Sequence, residues 1–299
     1  MTTGKSDDGG RETTSADGDT NVRVEGRAGR ITLNRPAALN ALTYAQVGVI
    51  ARALDAWEAD TDVAVVIIDA AGGRAFCAGG DIRELYDART TDPMLAARFW
   101  RDEYTLNARI HRYPKPIVTL MDGLVMGGGI GLAAHASHRV VTEHADLAMP
   151  ETAIGLVPDV GGTWLLARAP GQLGALLGLT GGRFKAADAI YAGFADTHVA
   201  RDDVSALVDA LVDPAGAPVG VVVAEAASAP APATYAMRQT DIDRLCGGDS
   251  VADIQAALRG ADDVPWAERA ARDMKKRSPL ALIAFLAAVR GARHLGSLE

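Results

Sequence analysis

Two glycine-rich stretches and two acidic residues are the parts of this chain best suited to chemistry. The stretches are Phe76-Cys77-Ala78-Gly79-Gly80-Asp81-Ile82 and Met126-Gly127-Gly128-Gly129-Ile130-Gly131. Each falls where a strand pattern gives way to a helix pattern. The first N–H groups of a helix have no intrahelical partner and point outward. Two such turns brought together can place two N–H donors on one developing oxyanion. The same glycines would also serve if they only allowed tight turns and close helix packing. Neither stretch fits G-x-G-x-x-G and the chain has no G-x-x-x-x-G-K-S/T, so a nucleotide-binding loop is not supported.

The acids are Glu151 and Asp159. Glu151 follows Met149-Pro150 and precedes Ala153-Ile154-Gly155-Leu156, so its company is apolar. Asp159 heads Val160-Gly161-Gly162, just before a helix expected near Thr163. A carboxylate in apolar surroundings acquires a raised pKa and can act as a base or nucleophile near neutral pH. The alternatives are a helix N-cap for Asp159 and a buried salt bridge for Glu151. Other chemistries find little support. The histidines at 111, 135, 138, 144, 198 and 294 are scattered, and the i,i+3 pair His135 and His138 lacks a recognisable third ligand, so no metal is expected. No G-x-S-x-G is present. Cys77 reads as a buried packing thiol.

The elements that must hold these residues follow from periodicity. Segments 22–25 and 30–33 read as a hairpin around Gly29, and 44–59 as a helix with Val47, Ile50, Leu54 and Trp57 on one face. The β-branched run 63–68 reads as a strand buried on both faces, as does 116–121. Helices are expected over 81–87, 92–112 and 130–136, and short strands over 139–142 and 146–148. Strands separated by helices imply parallel pairing through right-handed crossovers. After about residue 200 the strands stop, and 204–212, 251–258, 267–275 and 279–289 read as helices. The stretch 213–234, rich in Ala, Pro and Val, reads as a weakly structured connector.

Composition narrows the class. The 299 residues carry 30 Lys and Arg against 38 Asp and Glu, a formal charge of −8, which argues against nucleic acid or an anionic membrane surface as the main partner. No apolar run approaches the ~20 residues that span a bilayer. The 2 cysteines exclude a disulfide framework and a four-thiolate metal site within one chain. The first twenty residues hold five acids, two bases and no large apolar residue except Met1, so they read as a disordered tail. They lack the character of a secretory or transit signal, and the expected location is cytoplasmic. Gly4-Lys5-Ser6 resembles the end of a phosphate loop but has no supporting strand.

The residues also resemble a family. Leu33-Asn34-Arg35-Pro36 with Leu39-Asn40-Ala41-Leu42, then residues 76–85 and 123–132, resemble the crotonase (enoyl-CoA hydratase/isomerase) superfamily. The segment from Met149 to Gly162 resembles its 3-hydroxyisobutyryl-CoA hydrolase branch. That resemblance implies an α/β fold, a crotonase-like ββα spiral core over 21–200, with a helical C-terminal region over 201–299 that is shortened relative to the branch. It implies an acyl-CoA substrate, no cofactor, and homo-oligomers, commonly trimers or hexamers. It assigns the oxyanion hole to the Gly80 and Gly128 amides. It places the adenine end of CoA near Ala78, Asp81 and Ile82, and an acyl-site contact on Glu103. Lys275, Lys276 and Arg277 read as a solvated helix end, or else as contacts to CoA phosphates. Hydratases of the superfamily carry a second catalytic glutamate where this chain has Gly131. The implied reaction is therefore thioester hydrolysis by Glu151 and Asp159. Its rivals are a hydratase or isomerase reaction and a non-catalytic acyl-CoA-binding protein.

Overall fold

The computed structural model describes residues 12–14 and 18–298. Its strands are β1 (Glu12–Thr14), β2 (Thr20–Glu25), β3 (Ala28–Leu33), β4 (Val65–Ala70), β5 (Ala75–Cys77), β6 (Ile117–Met121), β7 (Leu124–Met126), β8 (His138–Val141), β9 (Asp146–Ala148), β10 (Phe184–Lys185) and β11 (Thr197–His198). Two sheets form among the described residues, one of seven strands in the order β1-β2-β3-β4-β6-β8-β11 and one of four in the order β10-β9-β7-β5. From β3 to β11 the larger sheet is parallel, as crossovers through helices require.

The helices of the first half are α1 (Tyr44–Glu58), α2 (Ile82–Ala88), α3 (Leu95–Arg112) and α4 (Gly128–Ala133). They are followed by α5 (Gly162–Arg168), α6 (Leu173–Thr180), α7 (Ala186–Tyr191), α8 (Val204–Val212) and α9 (Val219–Glu225). The chain closes with α10 (Thr234–Met237), α11 (Gln239–Cys246), α12 (Val251–Arg259), α13 (Ala267–Lys275) and α14 (Pro279–Ala292). Side chains alternate across a strand, so β4 feeds two cores. Val66 and Ile68 join the main cluster, and Val65 and Ile67 join a second one beneath α8 and α9. That is the physical meaning of its unbroken β-branched run.

Several expectations need correction. The hairpin turns at Gly26, which has a φ of +52°, rather than at Gly29. Gly29 lies inside β3, where an added Cβ would stand 2.5 Å from the Trp57 ring, so its small size serves packing. Within the segment expected to be disordered, Glu12–Thr14 pairs antiparallel with β2, and Thr20 opens that strand, because the ladder supplies backbone partners that composition does not reveal. Residues 1–11, including Gly4-Lys5-Ser6, and 15–17 lie outside the described residues. The connector contains α9, which starts after Pro218 and buries Val219, Val222 and Val223 at i, i+3 and i+4.

Candidate active site

The Leu39–Leu42 segment builds the first turn. Asn40 has a φ of +54° and is 1 % exposed; its carboxamide oxygen accepts from the Arg35 N–H at 2.8 Å. The amide nitrogen donates to the Ala71 and Ala75 carbonyls at 3.0 and 2.8 Å. Held this way, the segment clamps the turn: Ala78 N–H donates to the Leu39 carbonyl at 3.1 Å, Leu42 N–H to Gly79 at 2.8 Å, and Asp81 N–H to Leu42 at 2.9 Å. Asp81 then caps α2, accepting from Glu84 N–H at 3.2 Å, while its other oxygen takes Arg35 at 3.0 Å.

The second turn lies beside the first because β5 and β7 pair in parallel, with Cys77 opposite Val125. Gly127, at φ +47°, redirects the chain, and α4 begins at Gly128. A Cβ placed on Gly128 would stand 3.2 Å from the Gly80 nitrogen, so the two amides are neighbours. One on Gly129 would collide with the Cys77 carbonyl oxygen. The close packing read from the glycines is met here, with the Gly80 and Gly128 backbones side by side. Cys77 is buried, and burial pushes its thiol up to about 12.

Three carboxyl groups converge on these turns. Glu151 opens a short 3-10 turn, Glu151–Ile154, and is 6 % exposed. A Cβ on Gly127 would stand 2.9 Å from its Oε1, and its Oε2 has no hydrogen-bond partner. Glu103, on α3, is 2 % exposed; a Cβ on Gly128 would collide with its Oε1, which is also without a partner. Asp159 accepts the Tyr104 hydroxyl at 2.6 Å. Burial, reinforced by Asp159, pushes Glu103 up to about 8. Burial, with Asp159 and Glu103 nearby, pushes Glu151 to about 8 as well. Burial raises Asp159, and the Tyr104 hydrogen bond works against that rise. Burial and mutual repulsion both favour the protonated forms of Glu103 and Glu151.

A cavity of about 100 Å³ unites Ala78, Gly80, Ile82, Glu103, Gly128, Glu151 and Asp159. Asp81 does not line it, being occupied by the cap and Arg35. Nor does the basic cluster join it: Arg277 donates to the Thr180 carbonyl at 2.8 Å, and Lys276 lies 3.4 Å from Asp273. Neither bland alternative holds for the two acids. The cap position of α5 is Gly161, not Asp159, and Glu151 has no ion-pair partner among the described residues. A second cavity of about 560 Å³ shares Asp159 and Val160 with the first and extends to Trp164 and Ala288.

Gly131 has a physical reason to be glycine. A Cβ there would stand 2.8 Å from both the Asn107 amide nitrogen and Val160 Cβ. No acidic side chain fits without moving α3 or the Asp159 loop. Sequence reading missed Tyr104 and passed over His135, whose Nε2 lies 2.7 Å from the Val160 carbonyl oxygen. No local pattern marks either one, because each is defined by a partner far along the chain.

Comparison with known proteins gives the family. The sequence pattern of the enoyl-CoA hydratase/isomerase family matches residues 28–299. The chain belongs to that family. It is 42 % identical over 277 residues to the mitochondrial 3-hydroxyisobutyryl-CoA hydrolase of Danio rerio, covering 90 % of this chain and 72 % of the relative. The corresponding Xenopus tropicalis protein is 49 % identical over 199 residues, which cover 67 % of this chain. The chain spans only about half of that relative's length, 52 %. A solved structure from Mycobacterium thermoresistibile, described as a carnitinyl-CoA dehydratase, superposes with a TM-score of 0.89 at 48 % identity, covering 94 % of this chain and 81 % of that one. The crotonase-type α/β fold with its helical C-terminal region follows from this likeness.

These relatives overturn the expected cytoplasmic location, since both hydrolases are named as mitochondrial. The expectation rested on the composition of the first residues, and tail composition does not fix a compartment. Among the described residues, no helix is long and apolar enough to cross a membrane.

Proposed function

We propose that the protein hydrolyses the thioester of 3-hydroxyisobutyryl-CoA, or of a closely related short acyl-CoA, as a step of valine breakdown. One observation carries the reading. Glu151 and Asp159 share a cavity with the Gly80 and Gly128 amides, while the place of a second hydratase acid is closed around Gly131 by Asn107 and Val160.

In this mechanism the thioester carbonyl oxygen lies between the two glycine amides, which stabilise the negative charge of the tetrahedral intermediate. Glu151, with its pKa raised to about 8, is in its ionised form a stronger base than an ordinary carboxylate. That form takes a proton from water as the water oxygen attacks the carbonyl carbon. Collapse breaks the C–S bond, and the proton passes from Glu151 to the departing thiolate. Direct attack by Glu151 uses the same atoms, giving a mixed anhydride that water then opens. In single turnover in ¹⁸O-labelled water, label in Glu151 identifies the direct route with water opening the anhydride at the Glu151 carbonyl, because general-base attack puts label only in the product acid. Asp159, held by Tyr104, binds the 3-hydroxyl or relays its proton. Ala78 and Ile82, on the rim of the first turn, meet the adenine end of CoA; Glu103 borders the acyl group. The reading needs no cofactor, and it includes self-association as trimers or hexamers, which rests on the family alone.

The likeness to a carnitinyl-CoA dehydratase favours a second reading, water elimination or addition at the acyl chain, for which Glu151 alone would supply the proton transfer. Thiol release from 3-hydroxyisobutyryl-CoA by the wild type, Glu151→Gln and Asp159→Asn tests the first. Release that falls about 10²- to 10⁴-fold in both variants supports the carboxylate pair. Release unchanged by Glu151→Gln contradicts it. No release with tight acyl-CoA binding would make this a binding protein.

A further inference from the structure

His135 lies in the turn that follows α4, 4 % exposed and outside the site cavity. Its Nε2 is 2.7 Å from the Val160 carbonyl oxygen. A carbonyl only accepts, so Nε2 bears the hydrogen and the ring donates. The ring is walled by His111 on α3, 6.2 Å away edge-on, and by Trp164 on α5 at 6.5 Å. His111 and Arg139 are the titratable and charged groups that act on it, both disfavouring a protonated ring. Burial lowers its pKa to about 4, so the ring stays neutral over the physiological range.

The segment it grips is the one that carries Asp159. Val160 has a φ of +47°, a conformation that a β-branched residue adopts only when its surroundings impose it, and Gly161 follows at +75°. Three successive carbonyls are held in this segment. Thr163 Oγ1 donates to Pro158 at 2.5 Å, and Gly162 N–H donates to Asp159. Both donors belong to the start of α5, the element the loop leads into. Only the His135 bond to Val160 comes from elsewhere, from the turn at the end of the helix that begins with Gly128. A Cβ on Gly161 would stand 2.5 Å from His135 Nε2, so ring and loop are in direct contact.

We propose that His135 is a positioning residue that locks the Asp159 loop to α4, fixing Asp159 at a set distance from the Gly128 amide. The inference rests on the hydrolase reading for its effect on rate, and on geometry alone for its effect on the loop. A neutral ring donor suits this place because it satisfies the strained carbonyl without placing a charge in a buried pocket.

The test compares His135→Gln, whose amide nitrogen can donate over the same reach, with His135→Leu, which fills similar space and donates nothing. Hydrogen exchange at the Gly162 amide and steady-state thiol release are read on both. The expected result is exchange accelerated in the Leu variant and near wild type in the Gln variant. Thiol release should fall about 10- to 100-fold in kcat in the Leu variant with KM within about two-fold, and be largely restored by Gln. Leu equal to Gln in exchange overturns the lock, whatever the rates. Should the wild type release no thiol while the exchange pattern holds, the hydrolase reading falls and the lock stands. Nitrogen NMR of the wild-type ring is independent of any variant's folding: an Nε2–H tautomer bonded to Val160 supports the proposal, and an Nδ1–H tautomer overturns it.

Discussion

The two halves of the site are built by opposite means. On the glycine side the groups proposed to work are backbone amides, set by the parallel pairing of β5 with β7 and by the bonds among Leu42, Gly79 and Asp81 at 2.8–2.9 Å. On the carboxylate side the working groups are side chains on a short 3-10 turn and a left-handed loop, and Glu103 and Glu151 each keep a buried oxygen without a partner. A group whose position follows from a ladder costs little to hold. A buried carboxyl group without a partner costs stability, and it persists where something other than stability keeps it. Left-handed backbone occurs in both halves, at Asn40 and at Val160, so it is the unmet polar atoms that set apart the carboxylate half, the half that moves protons under the hydrolase proposal.

That contrast can be broken from either side. Apart from loss of the carboxylates themselves, the largest effect is expected from Gly128→Ala, whose Cβ would meet Glu103 Oε1 and stand 3.2 Å from the Gly80 nitrogen. Alanine keeps its N–H, so the effect is displacement of that amide, which should lower kcat for thiol release by about 10²- to 10³-fold, measured against CoA binding to show that the fold survives. Gly131→Glu should come next. An acid forced against Asn107 and Val160 is expected to cost about 3–5 kcal/mol in denaturant unfolding without creating crotonyl-CoA hydration. A stable variant that hydrates would show that this wall is not what excludes hydratase chemistry.

A finer test uses pH. Glu103 keeps a folded-state pKa of about 8 against an ordinary 4.5. Between those values the folded protein holds a proton that the unfolded chain has shed, so this contribution to stability is full below about 4.5 and is lost as pH rises through about 8. Glu103→Gln removes that loss, so its advantage in melting temperature over the wild type should be greatest at pH 9 and shrink toward pH 5. Removing Glu103 also takes away one repulsive neighbour of Glu151, and the acid limb of kcat/KM should move to lower pH. The smallest effect belongs to Tyr104→Phe. Loss of the 2.6 Å hydrogen bond should raise the Asp159 pKa and reduce kcat about 2- to 10-fold, the range of one net hydrogen bond.

What the sequence made legible was whatever is local. The glycine turns and the helices α8 and α13 appear where their patterns place them, and the β-branched strand β4 begins two residues later than its run, because turn chemistry and periodicity act within a few residues. The four-stranded sheet was harder: β9 falls on the expected 146–148, but β5 and β7 have three residues each, too few to show an alternation. Gly29 misled because a glycine in a strand next to a turn reads as the turn, although Trp57 is what requires it. Glu151 and Asp159 were visible through their apolar neighbours. Tyr104 and His135 were not, since each acts on a residue 55 or 25 positions away.

The central claim is that this site cleaves a thioester and does not add water to a double bond. The direct test follows thiol release from 3-hydroxyisobutyryl-CoA and loss of the crotonyl-CoA enoyl absorbance side by side, with one preparation of wild-type protein. Thiol release with no measurable hydration is the result predicted by a cavity that joins Glu151 and Asp159 to the glycine amides and closes around Gly131. Hydration without thiol release would contradict it.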